Sequence, residues 1–150
     1  MKFNDFKYER PDLEGSGKII TKLVEELKNE SDVKKAISLI DQINSIIDKD
    51  NSMSQLAAIR NTIDTTDEFY DKEVDWFNEN YPNFKEVMNN YQLVLNSHSL
   101  KEELKEYYGN EWFNQIEIGL KTFSPIIKED LVKESKLETK SRIGDTITLN

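Results

Sequence analysis

The sequence predicts an all-α fold: an antiparallel bundle of about six or seven helices around one long central helix, with a short C-terminal strand or β-hairpin. Three observations predict it. Apolar residues recur every three or four positions over most of the 150 residues. Glycine and proline are scarce, five and three, which disfavours a turn-rich β architecture. Between the apolar stripes stand Asp, Ser, Pro and Gly, where helix caps and stops belong.

Residues 1–10 read as an extended aromatic arm. Phe3, Phe6 and Tyr8 are too hydrophobic to hang in water, so the arm is expected to dock. Pro11 and Asp12 suit a helix start. Leu13, Ile20, Leu23, Val24 and Leu27 mark this first helix to about Asn29. Gly15 and Gly17 each cost roughly 1 kcal/mol against Ala, so its first turns should fray. Ser31 or Asp32 caps the second helix, whose apolar face runs from Val33 through Ile47. The run Asp48-Lys49-Asp50-Asn51 reads as a turn. Ser52 then caps the long third helix, which reaches about Asn80 before Pro82 stops it.

A fourth helix carries Phe84, Val87, Met88, Tyr91, Val94 and Leu95. A fifth spans about Ser99 to Tyr108, with Gly109 as a left-handed terminator. Trp112, Phe113, Ile116, Leu120 and Phe123 line a sixth. Pro125 opens a seventh, carrying Ile126, Ile127, Leu131 and Leu137. One helical domain is therefore expected over 1–141. Residues 142–150, with β-branched alternation around Gly144-Asp145, form a short strand or tail.

The third helix is expected to be central. On a helical wheel Leu56, Ile59, Ile63, Tyr70, Val74 and Phe77 fall in one stripe. Phe69 and Trp76 lie well off that stripe, so the helix shows two apolar faces and should be wedged between neighbours; this second pair reads either as core or as an interface to something absent. Arg60, Asp64, Glu68, Asp71 and Asp75 form a polar face, and Asp67 lies at its boundary. Asp67 should be half-buried and held by Arg60, another charge or backbone donors, because a buried carboxylate without partners is costly. The acidic face is either a solvated surface or a surface that lines a channel or docks on a basic partner; carboxylates alone also suit a hard metal ion, although nothing here resembles a calcium loop. On the second reading the binding residues are Arg60, Asp64, Asp67, Asp71, Phe69 and Trp76.

Composition narrows the function. The formal net charge is −9, and no Lys/Arg cluster offsets it, so nucleic acid and anionic membrane are disfavoured partners. No cysteine is present, which excludes disulfides and thiolate metal sites. The N-terminus lacks an apolar signal core and no apolar run approaches the ~18 residues of a membrane span. A cytoplasmic location is the expectation. The single histidine, His98, reads as an exposed or capping-turn residue. No H-E-x-x-H, G-x-S-x-G or glycine-rich phosphate loop occurs, so free-standing catalysis is not expected.

Three phrases stand in order: "FKYERPDLE" (Phe6–Glu14), "LAAIRNTIDTTDEFYDKEVDWFNEN" (Leu56–Asn80) and "IGLKTFSP" (Ile118–Pro125). Together they resemble the N-terminal region of the oligoendopeptidase F family of zinc metallopeptidases, over about residues 1–137. The resemblance implies a large, mostly helical enzyme enclosing a channel that admits peptides. Its zinc motif lies far downstream, so no catalytic or metal-binding residue carries over and no cofactor is expected in this chain. Gly15-Ser16-Gly17 interrupts a helix that the resemblance expects to continue, and the tail after Thr139 is shorter than expected. The chain therefore reads as a fragment or truncated product: a non-catalytic channel-wall segment. Its implied partners are the missing catalytic half and, in the full-length form, short peptides. The alternative is a stand-alone helical adaptor that binds a partner helix or peptide.

Overall fold

The structure, a computed structural model, describes residues 6–122. Four helices are bounded within it: α1 (Leu13–Lys28), α2 (Val33–Ile63), α3 (Glu68–Asn96) and α4 (Lys101–Tyr108). A fifth, α5, is described over 110–122. Residues 1–107 form one compact unit, and a second begins at Tyr108. Among the described residues every regular element is helical. The seventh helix, the strand expected at 142–150 and the boundary at 141 lie outside the described residues.

The expected helix count is corrected where it was most specific. Residues 33–96 form two long helices and not three. No break occurs at Asp48–Asn51, because the apolar repeat passes straight through it. Ala36, Ile43, Asp50 and Ala57 stand seven apart, and all are buried. A strict seven-residue repeat keeps one seam facing its neighbour along a long helix pair. Asp50 is the exception in kind, a carboxylate on an apolar seam.

Pro82 does not stop α3. It sits inside the helix, exposed, between the buried rings of Phe77 and Phe84. Phe77, Phe84 and Tyr91 again stand seven apart and all are buried. An interior proline costs a helix ~3 kcal/mol, while burying one large apolar side chain contributes ~1.5–3 kcal/mol. Two such rings flanking the proline outweigh it.

The real break lies within the expected central helix. Asp64 terminates α2, and its carboxylate accepts from Thr66 N at 3.0 Å and Thr66 Oγ1 at 2.6 Å. Asp67 caps α3, accepting from Phe69 N at 2.9 Å. Short polar side chains that bond the backbone two residues on favour turns and caps over helix interiors. There is thus no single helix from Ser52 to Asn80; residues 64–67 are a tight antiparallel turn.

Cross-links between α2 and α3 give the register. Tyr91 Oη donates to Asn44 Oδ1 at 2.8 Å, and Tyr81 Oη to Asn51 Oδ1 at 3.1 Å. Near the turn, Arg60 donates to Tyr70 Oη at 2.9 Å. α1 packs against both long helices. Its first turn does not interrupt: Asp12 accepts from Gly15 N at 2.9 Å, and the helix continues through Gly15 and Gly17. Gly17 is buried, and a Cβ there would lie 3.6 Å from Val87 Cγ2.

The far end of α1 is tied by His98, which is buried at 8% exposure and not at the surface. Leu100 N donates to its Nδ1 at 3.0 Å, so Nε2 carries the proton and donates to Leu27 O at 2.6 Å. His98 is a turn-capping residue that also links the end of α3 to the end of α1. Gly109 has φ +101°, a left-handed conformation that favours glycine.

Helix lengths set the layout. At 1.5 Å per residue α1 is about 24 Å long, while α2 and α3 are each about 45 Å. α1 therefore covers only half of the hairpin, the half away from the 64–67 turn. The other half is left to the N-terminal arm.

Candidate functional site

The arm crosses the half of the hairpin that α1 leaves uncovered. Glu9 N approaches Met53 Sδ at 3.4 Å, and Arg60 donates to the Phe6 carbonyl. The anchor is Glu73, on α3 and 4% exposed. Tyr8 Oη donates to Glu73 Oε1 at 2.6 Å. Arg10 donates through Nε to the same oxygen at 3.0 Å and through a terminal nitrogen to Oε2 at 2.5 Å. The guanidinium of Arg10 also lies 4.7 Å from the ring centroid of Trp76. A two-pronged arginine–carboxylate contact fixes orientation as well as distance.

The electrostatics follow from this geometry. Hydrogen bonding from Arg10 holds the Glu73 carboxyl below its ordinary value, although burial opposes the shift. Burial, followed by the bond to Glu73, pushes the Tyr8 phenol far up. Both Glu73 oxygens already accept hydrogen bonds, and Tyr8 holds its proton tightly. The cluster is a clasp that fixes the arm, and its groups are not free for proton transfer.

Three rings surround the clasp. Tyr8 meets Phe69 and Tyr70 edge-on at centroid distances of 6.0 and 5.6 Å, and Phe69 meets Tyr70 at 4.9 Å. Arg60 lies 5.6 Å from the Tyr70 ring centroid. The arm's expected docking is thus realised at Tyr8; Phe6 stays 48% exposed. Phe3 lies outside the described residues.

Of the six candidate binding residues, all stand on the turn-proximal part of the hairpin. Arg60, Phe69 and Trp76 join the clasp through Tyr70, Tyr8 and Arg10 respectively. Asp64 and Asp67 serve the turn, and hydrogen bonds from Thr66 hold the Asp64 carboxyl low. Asp67 is half-buried and held by a backbone donor. Asp71 is exposed in the first turn of α3. The expectation that Phe69 and Trp76 form a second buried face is corrected. Phe69 is 53% exposed and Trp76 half-buried, because the break at 64–67 resets the phase of α3.

Sequence reasoning missed Glu73, Arg10 and the pairing of Tyr8. One signal was present: Tyr8 and Arg10 alternate on an extended arm, so both point to one side. Among the described residues, no group of three or more His, Asp or Glu side chains is arranged to hold a metal ion. Both ring nitrogens of His98 are already engaged. The chain's described residues therefore do not fit the zinc that the resemblance implies for a longer enzyme. Among the described residues, no helix is long and apolar enough to cross a membrane.

A long antiparallel hairpin is braced at one end by α1 and clasped at the other by an aromatic arm. This chain belongs to the family of M3 peptidase N-terminal domains, whose sequence profile matches residues 3–123. Its structure is similar to three solved ones at TM-score 0.77. One, provisionally described as an oligoendopeptidase F, is 36% identical over 93% of this chain and 25% of its own. Another, with the same provisional description and from Bacillus anthracis str. Ames, is 35% identical over 93% of this chain and 26% of its own. The third, Pz peptidase A with an inhibitor, is 35% identical over 93% and 25%. This chain thus spans about a quarter of the length of the solved structures it matches. Among curated proteins there is no match.

Proposed function

We propose that this chain acts as a non-catalytic N-terminal wall segment of an M3-type oligopeptidase, packed beside a zinc-bearing catalytic portion. Together the two would enclose a channel in which short peptides are hydrolysed. The observation that carries this reading is the lopsided coverage: 93% of this chain aligns with a quarter of each peptidase. The clasp supports it, since its polar groups are spent on holding the arm. Zinc, when bound in the remaining portion, would polarise the scissile carbonyl and activate water. A cytoplasmic location belongs to the same proposal.

The test replaces the matched segment of the Bacillus anthracis peptidase with residues 1–150 and follows hydrolysis of a quenched fluorescent peptide. Turnover by the chimera, with none from this chain alone in added zinc, is the expected result. A folded but inert chimera would count against the proposal.

A second reading, a stand-alone adaptor, draws on a shallow groove between α1 and α2, where Ile19, Leu23, Ile37 and Ile46 are among the lining residues. It requires cooperative unfolding of the isolated chain. A broad, weak calorimetric transition would remove it.

A further inference from the structure

We propose that the turn-proximal tip of the α2–α3 hairpin is the seat on which the remaining portion of the peptidase docks, through an apolar centre and a basic rim on that partner. The inference rests on the functional reading above and names the face that reading requires.

Four large apolar side chains are left exposed around one residue, Arg60. Ile59 and Ile63 stand within one turn of it on α2, at 48% and 70% exposure. Phe6, at 48%, belongs to the residue whose carbonyl Arg60 binds. Phe69, at 53%, meets Tyr70, the other partner of Arg60. The remaining large exposed apolar residues, including Ile19 and Leu93, are scattered along the chain. Single exposed apolar residues are normal, whereas a group of them marks an interaction site.

The cause of the exposure is structural. Ile59 and Ile63 stand off the Ala36–Ile43–Asp50–Ala57 seam by which α2 packs, beyond the reach of α1. The arm fills the space only as far as Tyr8. Arg60, Tyr8, Arg10 and Glu73 hold the surrounding backbone in place, so the patch is fixed in shape before any partner arrives. Preorganisation of this kind lowers the ordering cost of binding.

Charge selects the occupant. Asp64, Asp67, Glu68, Asp71 and Asp75 edge the tip, and Lys72 is the only lysine on this stretch. Two copies of this chain meeting tip to tip would bring these acids together, on molecules that each carry −9. Self-association through this face is therefore opposed. A peptidase four times the length of this chain offers the alternative: about three quarters of each matched structure lies outside the region this chain covers.

The test uses the chimera and the intact chain side by side. Amide hydrogen exchange across 59–69 should slow at least tenfold in the chimera relative to the chain alone. Ile63→Asp and Phe69→Asp should abolish that slowing, while Ile19→Asp should leave it intact. The Ile63→Asp and Ile19→Asp variants of the isolated chain should melt like the parent, because both residues are exposed, whereas Phe69→Asp also removes the ring contacts to Tyr8 and Tyr70 and should melt lower. Equal exchange in chimera and chain overturns the seat, as does a dimer of the isolated chain that Ile63→Asp dissociates. Peptide turnover is read separately: an inert chimera with slowed exchange at 59–69 would sink the channel-wall function and leave the docking face standing.

Discussion

Arg10 grips the carboxylate of Glu73 with two nitrogens across 63 positions of sequence, at 3.0 and 2.5 Å. That bond fastens the arm to the half of the hairpin that α1 does not reach. Arg10→Ala leaves Glu73 buried with Tyr8 as its remaining clasp donor. Because Arg10 is itself half-exposed, the cost is about 1–3 kcal/mol and not the full penalty of a buried pair. Urea unfolding should show that loss, and limited proteolysis should cut the arm before the helices.

Two buried carboxylates respond to pH in opposite directions. Glu73 has a depressed folded value, so its contribution is complete above its ordinary value of 4.5 and is lost as pH falls through the depressed one. Asp50 is 5% exposed, and its Oδ2 has no hydrogen-bond partner among the described residues. Burial raises its folded value above the ordinary 3.8, against hydrogen bonding from Ser16. Its contribution is present below 3.8 and lost as pH rises through the raised value. Asp50→Asn should therefore stabilise by about 1 kcal/mol at pH 7 and by nothing below the ordinary aspartate value. Melting curves of parent and variant at pH 3 and pH 7 check the sign.

The two glycines of α1 should part company. Gly17→Ala places its Cβ at an ordinary 3.6 Å from Val87 Cγ2, and helix propensity favours it by ~0.5–1 kcal/mol. Gly15→Ala drives its Cβ into the Asp12 carboxylate, which must swing away and give up the cap. The gain in propensity and the loss of the cap, each ~1 kcal/mol, then cancel. Thermal midpoints should rise for Gly17→Ala and stay level or fall for Gly15→Ala.

His98→Ala removes a donor to Leu27 O and an acceptor from Leu100 N at a buried site. A loss of roughly 1–3 kcal/mol is expected. Hydrogen exchange should locate it at the ends of α1 and α3, away from the arm.

Much of this was legible along the chain. The caps at Asp12 and Asp32, the apolar faces of α1 and α2 and the left-handed Gly109 follow from local rules, and the ordered phrases pointed to the right family. The misreadings have physical causes. Asp48–Asn51 looks like a turn by composition, yet the spacing of Ala36, Ile43 and Ala57 carries the helix across it. Pro82 looks like a stop, yet Phe77 and Phe84 bury enough on either side to override it. The true break was hidden in Asp64-Thr65-Thr66-Asp67, whose side chains bond their own backbone; read as a helix face, they looked like surface acids. Glu73 could not be singled out from its neighbours, because its partners are 63 and 65 positions away.

The channel-wall role is tested most directly by turnover of a quenched fluorescent peptide by the Bacillus anthracis peptidase carrying residues 1–150 in place of its own matched segment. Hydrolysis within about tenfold of the parent enzyme is expected, a difference of ~1.4 kcal/mol in barrier, and none from residues 1–150 alone with zinc. Hydrolysis by the isolated chain, or a cooperatively folded chimera that leaves the peptide intact, would contradict it.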